Sequence, residues 1–204
     1  MGFFSGLTQP VPVAIGGTGS STAATARDAL GVVPFWRPFV SGQYYSHFAG
    51  GGSSTGSLSA NTLIGVPIFI GGSQAVTEIG IEVTGAGAGG TVIRLGIYSD
   101  SGGVPGSLLL DAGTVAADSA AVKTIAITQT LDPGWYFLAL NTDSAATVRI
   151  CNISIVPSIL GASSSSAGST VYYTRSLAYG ALPATFGSVT RVTSGNCPRI
   201  WLRA

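Results

Sequence analysis

Glu78-Ile79-Gly80-Ile81-Glu82-Val83 is the stretch that decides the fold. Its isoleucines and its valine fall on one face of an extended chain and its glutamates on the other, because successive side chains of a β-strand point to opposite faces. Ile93, Leu95 and Ile97 alternate with their neighbours in the same way. Strands that are apolar on one face and polar on the other are typical of antiparallel sheets with one face in a core. The stretch therefore predicts half-buried strands.

Outward from this stretch, short apolar or alternating runs separated by glycine-rich turns extend from Gly42 to the C-terminus. The candidate strands are Gln43–Phe48, Thr62–Ile70, Val76–Thr84, Thr91–Tyr98, Ser107–Ala112, Val122–Thr128, Trp135–Asn141, Val148–Val156, Thr170–Arg175 and Arg199–Arg203. They recur roughly every 10 to 15 residues without long helical patterns between them, as in all-β sandwiches. The sequence predicts a mainly β fold, an antiparallel jelly-roll-like β-sandwich preceded by an extended N-terminal tether and one short helix.

The composition indicates a subunit of an assembly. The 204 residues suffice for one domain with a tail, 46% of them are hydrophobic, and charged residues make up 8% against a usual share of about a quarter. Such a surface is either covered by neighbours or neutral and rich in hydroxyl groups. The net charge of +1 comes from scattered residues, so nucleic-acid binding is not expected, and no apolar run approaches the roughly 20 residues that membrane insertion requires.

No catalytic, metal or cofactor site is predicted. His47 is the single histidine, and Cys151 and Cys197 have no metal-binding spacing, although the sequence leaves open whether these cysteines are bridged. Glu78 and Glu82 would lie about 13 Å apart along a strand, which exceeds the carboxyl separations of glycosidases and favours solvent-facing charges. We therefore expect no enzyme activity. Aspartates 100 and 111 flank a glycine loop and are interpreted as turn formers, with a bound calcium ion as the open alternative.

The N-terminal part divides into a tether with a short helix at residues 1–33 and an aromatic and proline-rich joint at residues 34–41, before the head domain at residues 42–204. Within the tether, Gly16-Gly17-Thr18-Gly19 leads into an alanine-rich segment with Ala26-Arg27 and Leu30-Gly31. A helix of about ten residues is marginal alone in water, so this segment needs partners. Trp36, between Pro34 and Pro38, is expected to wedge the tether against the domain or a sister chain.

This ordered combination resembles the short repeat in tail fibres, head spikes and other receptor-binding appendages of tailed bacteriophages. The resemblance covers about a tenth of the chain. It implies that the N-terminus attaches to other virion structural proteins and that the chain forms a homotrimer. The residues expected at attachment or oligomer contacts are Ile15, Gly16, Gly17, Thr18, Gly19, Ala26, Arg27, Leu30 and Trp36.

A second resemblance lies in residues 94–109 followed by Leu131-Asp132-Pro133-Gly134-Trp135-Tyr136-Phe137-Leu138-Ala139. This part looks like a β-sandwich module of phage tips and bacterial extracellular proteins that is often associated with carbohydrate binding. Neutral sugars stack on aromatic rings and bond to short polar side chains. The candidate ligand-binding residues are Tyr172, Tyr173, Arg175, Tyr179 and Phe186. The alternative for these tyrosines, and for Tyr44-Tyr45, is packing at sheet edges or subunit contacts, whereas Trp135 and Trp201 are expected in the core.

Together these features predict a virion appendage, a tail fibre or head spike, that mediates adhesion to host cell-surface polysaccharide. Its expected location is the virion, after synthesis in the bacterial cytoplasm and release by lysis, because the N-terminus lacks the pattern of an export signal. The alternative is a purely structural connector or decoration protein without receptor binding. An adhesin is expected to expose the side chains of residues 172–186, and a connector to bury them against protein.

Overall fold

The computed structural model describes residues 19–20, 25–26, 39–47, 53–152, 160–162, 170–193 and 196–204. The chain divides into one unit at Met1–Arg37 and another at Pro38–Ala204. In the first unit Gly19 is in a bend, and Thr25 and Ala26 are helical, inside the predicted short helix. The other proposed contact residues lie outside the described residues: Ile15, Gly16, Gly17, Thr18, Arg27, Leu30 and Trp36. Within the described ranges, no helix has the length and apolar character needed to cross a membrane.

The second unit is built from β-strands. Its strands are β1 (Tyr44–Ser46), β2 (Ser53–Ser57), β3 (Thr62–Ile70), β4 (Gln74–Gly85), β5 (Val92–Asp100), β6 (Pro105–Ala116), β7 (Ala121–Leu131), β8 (Gly134–Thr142), β9 (Thr147–Asn152), β10 (Tyr172–Ser176), β11 (Thr190–Val192), β12 (Asn196–Pro198) and β13 (Ile200–Arg203). The predicted strand at residues 62–70 has the observed bounds. Three short strands, β2, β11 and β12, were not predicted, because their serine-rich or three-residue sequences carry no alternation.

The strands form two antiparallel sheets. The six-stranded sheet has the order β11-β10-β3-β8-β5-β6. The seven-stranded sheet follows the path β1-β13-β4-β9-β12, with β7 paired to β4 and β2 paired to β9. Every paired strand runs antiparallel to its neighbour. The predicted antiparallel β-sandwich is confirmed.

The core between the sheets comes from the alternation seen in the sequence. One buried cluster contains side chains from both sheets. Among its fully buried members are Ile79 and Ile81 of β4 and Ile93 and Leu95 of β5. Burying each such side chain contributes about 1.5–3 kcal/mol relative to leaving it in water. The fold is therefore held chiefly by apolar packing between the inner faces of the two sheets.

A second apolar cluster covers the outer face of the six-stranded sheet. Tyr98, Phe137 and Tyr173 point away from the first core and pack with Leu182 and Phe186. These last two residues belong to the segment 177–189, which we call the covering segment. The Tyr98 and Phe186 rings meet edge to face with centroids 5.2 Å apart. The central strands β3, β8 and β5 of this sheet thus lie between two cores, whereas the edge strands β6 and β11 are partly exposed.

The outer face of the seven-stranded sheet differs, because it reaches solvent. Tyr44 on β1 is 57% exposed and Val122 on β7 is 63% exposed. Between them, Glu82 of β4 and Trp201 of β13 are half-buried. We call this surface of β1, β13, β4 and β7 the open face.

Arg199 lies beside the open face at a fork in the seven-stranded sheet, the point at which β4 changes its partner from β13 to β9. Strand β4 pairs with β13 at Ile81 and with β9 at Val83, and β9 pairs in turn with β12. Arg199 lies between β12, which pairs with β9, and β13, which pairs with β4. Its backbone N–H donates a hydrogen bond to the carbonyl oxygen of Arg149 at 2.9 Å. The main chain of Arg199 is therefore held at the fork.

Candidate functional site

The pairing of β1, β13, β4 and β7 places side chains from all four strands next to one another on the open face. Gly80 of β4 lies between Trp201 of β13 on one side and Thr124 of β7 on the other. Tyr44 lies opposite Arg203, so it is a diagonal neighbour of Trp201 across the β1–β13 pair. Residues related by these register positions share one face of the sheet.

The indole of Trp201 lies over Gly80. A Cβ atom built on Gly80 would come within 2.7 Å of Trp201 Cε2 and Nε1, so only glycine leaves room for this ring. The Nε1 atom is buried and has no hydrogen-bond partner among the described residues. The expectation that Trp201 is a core residue is wrong, since Ile200 and Leu202 take the inward positions of β13.

Six side chains line a shallow pocket of about 300 Å³ on the open face: Tyr44, Glu82, Val122, Thr124, Arg199 and Trp201. Its volume is at the lower end of the range for ligand pockets. The Tyr44 ring is supported by the guanidinium carbon of Arg203, 5.7 Å from the ring centroid, which is within cation–π range. The pocket therefore combines two aromatic rings with a hydroxyl, a carboxylate and a guanidinium.

The carboxylate of the pocket is held in place from the neighbouring strand. Arg149 of β9 donates from Nε to Glu82 Oε2 at 2.9 Å and from Nη2 to Oε1 at 2.7 Å. This hydrogen bonding is the main reason that the pKa of Glu82 lies below its usual value, with a further contribution from the positive charge of Arg199. Glu82 is therefore an ionised acceptor of fixed orientation at neutral pH.

Three of the predicted ligand-binding residues are buried inside the chain. Tyr172, Tyr173 and Phe186 are 7%, 1% and 0% exposed. Tyr172 joins the core between the sheets and Tyr173 joins the second cluster, so both faces of β10 are covered. The prediction that these rings contact a ligand is wrong, because Tyr172 faces the core between the sheets and Tyr173 and Phe186 pack in the second cluster. These three residues therefore lack the exposure that was expected of an adhesin at residues 172–186.

The other two predicted residues lie where the covering segment meets the sheet. Arg175 donates from Nη1 to the carbonyl oxygen of Phe186, and the backbone N–H of Tyr179 donates to Asn61 Oδ1 at 2.9 Å. Both side chains are half-buried. Burial is the main cause that raises the pKa of Tyr179. The geometry gives these residues contacts that hold the covering segment against the sheet.

The pair of carboxylates considered at the loop near β5 and β6 already has protein partners. Asp100 accepts a hydrogen bond from the N–H of Gly103 at 3.1 Å, as expected of a turn former. Asp111 accepts from Arg94 Nε at 2.8 Å and from the N–H of Leu182 at 3.1 Å. Within the described ranges, no group of three or more histidine, cysteine and acidic residues is arranged to hold a metal ion.

A buried group of polar side chains lies at the end of β1. Cys151 and Cys197 are directly opposite in the β9–β12 pair, and no disulfide joins them. The Sγ of Cys197 is 3.4 Å from His47 Nε2. Burial, followed by the charge of Arg199, lowers the pKa of His47 from 6.5 to about 4. His47 is therefore neutral at pH 7, and burial also raises the pKa of both thiols.

No protein-family model matches the chain, and no curated protein matches it significantly. The case for a function therefore rests on the open face and on the sequence motifs.

Proposed function

We propose that this protein is a virion appendage of a tailed bacteriophage, a tail fibre or head spike, that adheres to host cell-surface glycan through its open face. The observation that carries the proposal is the exposed aromatic pocket. Tyr44 and Trp201 line one open cavity together with Thr124, Glu82 and Arg199.

This set of groups suits a sugar. The C–H face of a pyranose ring stacks on an aromatic ring, and its hydroxyls need donors and acceptors around that ring. Trp201 supplies an indole over Gly80, and Tyr44 supplies a second ring at the next strand. Glu82 accepts hydrogen bonds, and Thr124 both donates and accepts. A shallow pocket of this kind favours weak binding to each sugar chain.

Weak binding by each head becomes strong when several heads act together. Heads fixed on one particle meet neighbouring sugar chains at high effective concentration, so avidity exceeds the affinity of one site. The glycine-alanine motif at residues 16–31 supports attachment of the N-terminus to a virion, and a homotrimer of the chain is part of the proposal. The low charged fraction of 8% also suits a subunit of an assembly.

The test is binding of the whole chain to an array of bacterial surface glycans. Trp201→Ala and Tyr44→Ala are compared with Leu109→Ala, which removes an apolar side chain that is 42% exposed on β6, away from the pocket. We expect selective binding that is about tenfold weaker in both pocket variants and unchanged in the control. Thermal unfolding checks that each variant is folded.

Two results would overturn the proposal in different ways. Binding that survives both pocket substitutions would move the glycan site elsewhere on the molecule. Absence of binding to every glycan and to host cells would favour a structural connector or decoration protein, whose exposed Tyr44 and Val122 would then be contacts with other virion proteins.

A further inference from the structure

We infer that the glycan bound at the open face is acidic, and that Arg199 binds its anionic group while Trp201 stacks on the sugar ring. The inference rests on the proposed function and names the chemical class of its ligand. It follows from how the charges of the open face are paired.

Glutamates and arginines largely offset one another on this face. Glu82 is engaged by Arg149 through two hydrogen bonds. Glu78 lies opposite Arg203 in the β4–β13 pair, which places one negative and one positive charge side by side. Opposite charges at facing positions of two strands attract each other.

Arg199 is near enough to Glu82 for its positive charge to help lower the pKa of that carboxyl, but the hydrogen bonds that Glu82 accepts come from Arg149 instead. Arg199 lines the pocket and its side chain is exposed, and within the described part of the chain it has no ion pair. Two glutamates, Glu78 and Glu82, stand against Arg149, Arg199 and Arg203 on this surface, which leaves one positive charge in excess, and Arg199 is the arginine among them that lines the pocket. Charge complementarity favours an anionic ligand there.

The position of Arg199 is set before any ligand arrives. Its N–H is bonded to the carbonyl oxygen of Arg149, and the flanking Pro198 and Ile200 are buried. The backbone of Arg199 is thus fixed, while its exposed side chain lines the pocket. A planar guanidinium matches the two oxygens of a carboxylate, or of a sulfate or phosphate, in a bidentate arrangement.

The adjoining rings make this an anionic sugar site and not a general anion site. Free anions bind where donors converge, whereas this pocket has one cation beside two aromatic walls, Tyr44 and Trp201. A ligand that uses all of these groups has an apolar ring face with an anionic substituent at its edge. Uronic acids and other acidic sugars have that form.

The experiment uses matched pairs of glycans and the whole chain. Each acidic glycan on the array is presented before and after reduction of its carboxylates to hydroxymethyl groups, and each sulfated or phosphorylated glycan before and after removal of that group. The variants are Arg199→Gln and Arg191→Gln, the control, which removes an exposed positive charge of β11 on the other sheet.

We expect the acidic member of a pair to bind about ten- to a hundredfold more tightly than its neutral counterpart, as for a charge-assisted hydrogen bond. Arg199→Gln should remove this preference while leaving the weak binding of the neutral member, and Arg191→Gln should leave the preference intact. If only the carboxylate-reduced pairs show the preference, the group that Arg199 binds is a carboxylate. If only the desulfated or dephosphorylated pairs show it, the group is a sulfate or a phosphate.

Equal binding of both members, or a preference that survives Arg199→Gln, would overturn the inference and leave the proposed function standing. Loss of the preference in Arg191→Gln as well would also overturn it, because the effect would then reflect net charge. No binding to either member of any pair would overturn the inference and the proposed function together.

Discussion

Two pairs of adjacent tyrosines differ in their exposure to solvent. Tyr172 and Tyr173 of β10 are both buried, whereas Tyr44 of β1 is exposed and Tyr45 stacks on Phe39 with ring centroids 3.8 Å apart. Adjacent residues of a strand point to opposite faces in both pairs. The difference comes from a third layer, because the covering segment lies on the outer face of one sheet and the open face of the other reaches solvent.

The two regions use similar aromatic rings in different ways. On the covered side, the aromatic rings pack in the second core and stabilise the outer face of the six-stranded sheet. On the open side, similar rings line a pocket with charged groups around them. An aromatic pair in a strand thus indicates a binding surface only when no other part of the chain covers it.

The largest expected contrast is between Phe186 and Tyr44. Phe186→Ala should lower the free energy of unfolding by about 3–5 kcal/mol, because it empties a fully buried site in the second core. Tyr44→Ala should change it by about 0.5 kcal/mol or less. Chemical denaturation of both variants measures the difference. A loss below about 1 kcal/mol for Phe186→Ala would show that the covering segment is not packed as described.

The next contrast is between two glycines that lie beneath a side chain. A Cβ atom on Gly96 would clash with Leu182 Cδ1 and would come within 2.6 Å of the carbonyl oxygen of Leu110. Gly96→Ala should therefore lower the free energy of unfolding by about 3 kcal/mol, at the upper end for overpacking. Gly80→Ala should cost less, because the half-exposed Trp201 ring can swing into solvent.

Gly80→Ala should nevertheless weaken glycan binding as much as Trp201→Ala does. Tryptophan fluorescence follows the displaced indole, and Gly89→Ala is the control, since nothing lies within 4 Å of its added methyl group. Full glycan binding by a folded Gly80→Ala protein would argue against the indole platform.

A third prediction concerns His47, which is buried although it follows β1 of the sheet that carries the open face. Its pKa falls from 6.5 to about 4 on folding, so between these pH values the unfolded state binds more protons than the folded state. The free energy of unfolding should therefore be highest above pH 6.5 and fall by about 2 kcal/mol at pH 5. Denaturation of the natural chain and of His47→Gln at pH 7 and pH 5 measures this. An equal pH dependence in both proteins would assign the effect to other groups.

The smallest contrast is between the ion pairs of the two outer faces. Asp111 also accepts the N–H of Leu182, so Asp111→Ala should release the covering segment and cost about 1.5 kcal/mol. Glu82→Ala removes a half-buried pair with Arg149 on the face that reaches solvent, and it should cost less than about 1 kcal/mol. Thermal unfolding of both variants ranks the two losses, and the reverse order would contradict the division into a covered and an open face.

Alternation along the chain predicts most of the sandwich. Residues 78–83 and 93–97 lie in β4 and β5 with the predicted inward faces, because period-two patterns report burial on one side of a strand. The same pattern does not report what lies on the other side. The cluster that buries Tyr173 includes Leu182 and Phe186, which come from a segment without periodicity, so the sequence did not predict the second core.

The sequence did contain a signal for the open face. Ile200, Trp201, Leu202 and Arg203 alternate between apolar and amphipathic residues, which places Trp201 on the same face as Arg203. The expectation of a core tryptophan gave residue type more weight than this alternation. The location of Gly80 beneath the indole depends on strand pairing, which no local pattern reveals.

The most direct test of the account follows the indole N–H signals of Trp201 and Trp135 by nuclear magnetic resonance during titration with a glycan that the array selects. Trp135 lies on β8 of the six-stranded sheet and packs against Phe69, so it reports on the other side of the molecule. The account predicts that the Trp201 signal shifts with saturation while the Trp135 signal stays in place. Saturable binding that moves Trp135 and leaves Trp201 unchanged would contradict it.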